Sequence, residues 1–256
     1  MAASLWLVGL LAGAIGLEAL IAWRLRAPLY EWRDTEISLG LAAGWAASGI
    51  AMAFLTGLAD SFTYQHRVVE LGQWMGAPVL AFLLADLAYY GWHRLSHRWP
   101  LMWASHFPHH TAKRINFLAS VRQGWTDVFS GTWLTWALLG FLGFSPLQLA
   151  PYFITLLIVQ LIAHNDWTPR LGQLDWVLVT PSNHRVHHGL ETRCVDKNFG
   201  GLLIIWDRLF GTYEAEGPAR LHDFGLAGFD ADAASPVAIA THGWRALFAR
   251  RRPVSG

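Results

Sequence analysis

The sequence predicts an all-α integral membrane protein in which four to five transmembrane helices carry a histidine-rich helical cap on the cytoplasmic face. Three observations predict it. Apolar residues make up 54% of the 256 residues and charged ones only 14%, with a mean hydropathy of +0.29, whereas soluble domains carry roughly a quarter charged residues. Five apolar runs are separated by short polar segments. Eight of the twelve histidines stand in three short motifs, each beside an apolar run.

The first run, SLWLVGLLAGAIGLEALIAW, has the length that a bilayer core demands, and Trp23, Arg24 and Arg26 mark its end. It lacks a short apolar stretch followed by a small-residue cleavage site, so it reads as a retained span rather than a signal peptide. Glu18 is costly in lipid, and either sits near the headgroups, faces another helix or is functional. The second run, ISLGLAAGWAASGIAMAFLTGL, is rich in the small residues that suit close helix packing in a membrane. The third, LGQWMGAPVLAFLLADLAYYGW, leads directly into HRLSH. The fourth and fifth, VFSGTWLTWALLGFLGF and PLQLAPYFITLLIVQLIAH, are joined by a short uncharged link around Ser145 and Pro146. They form a hairpin over residues 127–163 that either spans fully or dips in and returns. From Asn165 onward no further spanning run occurs, and WRALFARRRPVSG is a basic, aromatic tail suited to anionic headgroups.

Topology follows from the arginines and lysines. Arg24, Arg26 and Arg33 follow the first run, only Arg67 follows the second, and Arg94, Arg98, Lys113, Arg114 and Arg122 follow the third. This puts the N-terminus outside, a loop near Asp60 on the same outer face, and every histidine motif on the cytoplasmic side. A formal net charge of +1 excludes a large basic field, and with it nucleic acid as a partner. The single cysteine, Cys194, excludes an intramolecular disulfide framework and any multi-cysteine metal site.

The motifs are HRLSH (His93, His97), HFPHH (His106, His109, His110) and HRVHH (His184, His187, His188). On helices, residues three and four apart share a face, so each motif directs two or three imidazoles towards a common point. Crowded rings repel one another when protonated and lack partners when buried and neutral. A shared metal ion removes both problems. Eight nitrogens exceed what one tetrahedral zinc uses, so two ions fit the number. His164, at the end of the fifth run, is a ninth candidate ligand, whereas His66, His222 and His242 lack such context. Asp86 lies two helical turns before His93. It either accepts a ring N–H from a ligand histidine, as supporting carboxylates do, or pairs with a neighbouring helix.

At these residues the sequence resembles the fatty acid hydroxylase superfamily, also called the sterol desaturase family, of membrane di-iron oxygenases. The likeness runs from about Asp86 to Glu216 and includes the three motifs in order. Asp196, Lys197, Asn198, Trp206, Asp207, Phe210, Gly211 and Thr212 make it most similar to the alkylglycerol monooxygenase branch, as do Asn116, Arg122 and Gln123. Leu118 and Ala119 depart from that branch's polar pair. The apolar runs and the resemblance together divide the chain into an N-terminal transmembrane region at 1–75, a catalytic domain like that of the family at 76–216 and a C-terminal cytoplasmic tail at 217–256. The resemblance implies two iron ions, with zinc a possible occupant of purified protein, held by His93, His97, His106, His109, His110, His164, His184, His187 and His188.

No glycine fingerprint for a nicotinamide or flavin occurs, so electrons must come from an external reductant: a reduced pterin, ferredoxin or cytochrome. The implied reaction is O2-dependent hydroxylation of a membrane lipid, which on an ether lipid yields an aldehyde and a glycerol. Sterol, fatty acyl and carotenoid substrates are alternatives within that chemistry. A zinc-dependent membrane hydrolase and a metal carrier are alternatives outside it. The carrier is disfavoured because the histidines cluster at span ends rather than at the midplane of broken helices.

Overall fold

The computed structural model describes residues 2–249; Arg250, Arg251 and Arg252 of the expected basic tail lie outside the described residues. Among the described residues the chain is helical, with no strand and only two isolated bridges, Leu178 to Leu203 and Gly189 to Phe224. Helices α1 (Ala2–Leu25), α2 (Trp32–Gln65) and α3 (Ala77–Arg98) carry the first three apolar runs. Helix α4 (Pro100–His110) follows after a break at Trp99, whose extended backbone is what a residue before proline adopts. Helices α5 (Thr132–Phe141) and α6 (Pro146–Ala163) form the expected hairpin. Helices α7 (Pro181–His188), α8 (Ile205–Leu209) and α9 (Pro236–Phe248) complete the chain.

Among the described residues, α2 and α6 are long and apolar enough to cross a membrane. At 34 residues α2 is about 51 Å long, well beyond the run that predicted it. Asp34 in its first turn and Asp60 near its end are both helical, so Asp60 does not lie in a loop. The ten residues of α5 extend about 15 Å, roughly half of a hydrocarbon core of about 30 Å. The hairpin arms are therefore unequal. A capping box begins α6: Ser145 Oγ accepts from Gln148 N–H, while Gln148 Oε1 accepts from Ser145 N–H at 2.9 Å.

Two apolar clusters fix the histidine-bearing elements. Ala81 and Ala85 of α3 pack with Leu149, Tyr152 and Leu156 of α6 and with Leu202. Trp103 and Phe107 of α4 pack against Ile37 and Leu41 of α2 and Ile239 and Ala240 of α9. Helix α9 thus packs back onto the cap, within the stretch expected as a tail. The contact is close: a Cβ on Gly243 would come within 2.6 Å of Ala104 Cα, and the His242 ring stacks on Phe107 at 4.7 Å. Glu18 faces other elements rather than headgroups, accepting from Tyr30 Oη (2.6 Å), Phe117 N–H (2.7 Å) and Trp167 Nε1 (2.9 Å).

Candidate metal centre

All nine predicted histidines are brought together in the interior. Four short pieces of chain deliver them: the last turns of α3 (His93, His97), α4 (His106, His109, His110), the C-terminal cap of α6 (His164) and α7 (His184, His187, His188). The side chain of His97 is 3% exposed, and the other eight residues are 5% exposed or less.

The rings fall into two groups whose potential ligand atoms lie within 4.8 Å of one another: His93, His97, His106, His110 and His187 in one, and His109, His164, His184 and His188 in the other. Neither His-x-x-His-His motif converges on one point, as the spacing alone suggested. Helix α4 sends His106 and His110 to the first group and His109 to the second, and α7 sends His187 to the first and His184 and His188 to the second. The cause is angular. At about 100° per residue, positions four apart differ by about 40°, while the remaining position is about 60° to 100° away. Each motif therefore bridges the two groups.

The ring nitrogens fit a cation. His93, His164 and His187 direct Nδ1 at the carbonyls of Phe199 (3.0 Å), Gln160 (2.6 Å) and Lys197 (2.9 Å). A carbonyl accepts only an N–H, so these rings hold their proton on Nδ1 and present an Nε2 lone pair inward. Nε2 atoms then meet one another: His184 and His164 at 2.9 Å, His110 and His106 at 3.1 Å, His93 and His106 at 3.2 Å. His187 Nε2 and both nitrogens of His97 are buried without a hydrogen-bond partner among the described residues. Lone pairs facing lone pairs in a buried site are costly, and a shared cation between them reverses the sign.

The carbonyls of Lys197 and Phe199 belong to a loop that two carboxylates hold. Asp207 accepts from Phe199 N–H and Gly200 N–H, each at 2.8 Å, and from Thr212 Oγ1 at 2.7 Å. Asp86 accepts from Leu202 N–H (2.8 Å), Leu203 N–H (3.1 Å), Trp206 Nε1 (2.9 Å) and Tyr152 Oη (2.9 Å). Asp86 therefore accepts no ring N–H from a histidine. It holds the loop and ties α3 to α6, the second of its two expected roles. Asn198, at φ 57°, donates to the carbonyls of Asn183 (2.9 Å) and Glu214 (2.8 Å), which anchors the loop to α7.

Two buried ion pairs complete the support, and sequence reasoning assigned neither. Arg185, between the histidines of α7, makes a bidentate contact to Glu216 at 2.6 and 2.7 Å. Arg122 donates to Asp34 at 2.7 Å and to Thr111 at the end of α4, joining α2 to the cap. A charged residue inside an otherwise buried motif is the signal that could have found Arg185. Asp34 and Arg122 lie 88 positions apart, and nothing local links them.

Burial, and then repulsion between rings, holds His106, His109, His110, His184 and His188 well below the usual histidine value. Burial takes His187 down to about 4, against the pull of its bond to the Lys197 carbonyl. The rings are neutral at pH 7, the state that ligates metal. An unfolded histidine takes up a proton below about pH 6.5 and these folded ones do not. Their contribution is complete above that pH and is lost as pH falls. The melting temperature of detergent-solubilised, metal-free protein is expected to drop steadily from pH 6.5 to 4.5 and to be unchanged by these groups between pH 7 and 8. A flat melting profile through the acid range would contradict the buried neutral rings.

A model of the fatty acid hydroxylase family matches residues 78–212. Among curated proteins, the chain is 42% identical over 137 residues to an alkylglycerol monooxygenase of Danio rerio, covering 54% of this chain and 30% of that protein. It is 40% identical over 136 residues to the Homo sapiens alkylglycerol monooxygenase, covering 53% and 30%. It is 30% identical over 183 residues to an ornithine lipid hydroxylase of Rhizobium tropici, covering 69% and 54%. The chain thus spans less than a third of the length of the first two relatives. No solved structure matches it.

Proposed function

The chain belongs to the fatty acid hydroxylase family, and from that membership we propose that it is a membrane-bound di-iron oxygenase that hydroxylates a lipid C–H bond. The observation that carries this reading is the division of nine buried imidazoles into groups of five and four with Nε2 lone pairs turned inward. One iron is held by His93, His97, His106, His110 and His187, the other by His109, His164, His184 and His188. Bound there, the irons supply what no side chain can, the reduction of O2 and the attack on an unactivated C–H bond.

The chain's own residues do the rest. The carbonyls of Lys197, Phe199 and Gln160 fix three rings in one tautomer, so that binding metal requires little reorganisation. The packed cap excludes bulk water from the reacting centre. Asp86 and Asp207 have both oxygens occupied by N–H and O–H donors, so neither is free to act as the base a zinc hydrolase would need. Ether lipids are the first substrates to try, given the alkylglycerol monooxygenases among the relatives. Oxidation of the carbon beside the ether oxygen gives a hemiacetal that collapses to aldehyde and glycerol. One oxygen atom enters the product and the other leaves as water, with electrons and protons from an external donor.

The proposed topology is multi-pass with the cap cytoplasmic. Contacts at both ends support the multi-pass arrangement, and the arginine distribution supports the side. Arg114 of the cap pairs with Glu31, just after α1, at 2.6 Å. At the far end, Val68 and Leu71 N–H donate to Phe141 and Leu142 carbonyls, which joins the loop after α2 to the tip of the hairpin. The reaction is tested with 18O2, iron-loaded protein, a reductant and a lipid panel. Label is expected in the alcohol, or in the aldehyde trapped by rapid reduction. Equal substrate consumption without O2 would overturn the oxygenase reading in favour of hydrolysis.

A further inference from the structure

Between α2, α5 and α6 lies a cavity of about 510 Å³ with a mostly apolar lining. On α2 it is lined by Trp45, Gly49, Ala53, Thr56 and Asp60, one stripe at helical spacing that runs about 22 Å along the axis. Trp133 and Trp136 of α5 and Phe153 of α6 form the facing walls. The glycines of α2, expected to pack closely against another helix, have close neighbours at Gly40 and Gly44 but not at Gly49 or Gly57, and close packing on α5 resumes only at Thr63. A Cβ on Gly44 would collide with the Trp125 indole, whereas a Cβ on Gly49 would meet nothing within 4 Å. The room at Gly49 is therefore open space rather than an interface.

The cavity also points at the metal centre. At its cap end it is lined by Asp127 and Val128, in a turn whose Ser130 carbonyl accepts from Trp92 Nε1 at 3.3 Å. The Trp92 ring packs against His93 and His106 at 5.9 and 6.0 Å. The 127–130 turn and the Trp92 ring thus stand between the cap end of the cavity and the five-histidine group. Its other end, at Asp60 and Pro146, lies beside the tip of the hairpin. About 22 Å exceeds the roughly 15 Å of one leaflet's hydrocarbon, so the cavity accommodates a long chain at full extension.

We propose that this cavity is the binding site for a single hydrocarbon chain of the lipid substrate, entered from the cap end beside Asp127 and Val128 and holding the chain end at Thr56, so that the cavity measures chain length. The proposal rests on the oxygenase reading for the identity of the ligand as substrate, but chain binding does not require metal. Gly49→Trp puts an indole into the open space halfway along, and Ala53→Phe obstructs the same path one turn further. Ile50, 79% exposed and outside the lining, supplies the control Ile50→Trp.

The test uses full-length protein in nanodiscs, metal-free and iron-loaded, with a long-chain ether lipid bearing a diazirine near the chain end. Label is expected on peptides containing Thr56 or Phe153, in both metal states, and to be displaced by unlabelled long-chain but not short-chain lipid. Gly49→Trp and Ala53→Phe should each cut that label by at least about tenfold and move the turnover preference towards shorter chains, while Ile50→Trp changes neither. Label spread over bilayer-facing residues such as Leu39 and Ile50, and indifferent to Gly49→Trp and Ala53→Phe, would mean boundary lipid only and would overturn the proposal. Specific label without any O2-dependent product would leave the chain site standing and remove the oxygenase reading instead.

Discussion

His187→Ala is expected to lower lipid oxidation by at least about a hundredfold, since even residues that merely support metal ligands are worth 10- to 100-fold. The imidazole is held on one side by the Lys197 carbonyl at 2.9 Å, and its other nitrogen has no hydrogen-bond partner among the described residues. Removing it deprives the five-histidine group of an inward lone pair and leaves the four-histidine group intact. Iron content should fall from two per chain towards one while the protein remains in the membrane fraction. His109→Ala should do the same from the other group. Undiminished oxidation in either variant would contradict the assignment of these rings.

The second large effect belongs to a residue that touches no histidine. Asp207→Asn preserves shape but replaces one carboxylate oxygen by an amide N–H₂, so that Phe199 N–H or Gly200 N–H loses its acceptor. A buried unsatisfied N–H costs about 1–3 kcal/mol, and about 1 kcal/mol lowers the melting temperature of a chain this size by roughly 2–4 °C. Because Phe199 also supplies the carbonyl that orients His93, iron affinity should fall by about 10- to 100-fold. Melting curves with and without iron separate the two effects. A variant with wild-type stability and wild-type iron affinity would contradict the role given to the 197–203 loop.

The helical class and the nine histidines were legible because both are written locally: apolar runs of bilayer length, and imidazoles at spacings of three and four. His164 could be placed among them because it ends the fifth run at the depth where the third delivers His93. The division of each motif between two groups was not legible, since it depends on how α4 and α7 are rotated against each other. Asp86 was legible as a carboxylate needing partners, but those partners are Tyr152 and a loop 116 to 120 positions away. The start of α2 was not legible because its first turn is held by a non-local pairing, Asp34 with Arg122, rather than by apolar composition. Helix α9 was read from its arginines as a surface tail, although Ile239, Ala240 and Gly243 form the face that packs on α4.

The central claim is that two ions sit in this cap, one in each histidine group. Anomalous diffraction at the iron edge from crystals of the iron-loaded protein tests it most directly. Two peaks are predicted, one among His93, His97, His106, His110 and His187, the other among His109, His164, His184 and His188. A single peak, or iron bound away from these rings in an enzyme that still oxidises lipid, would contradict it.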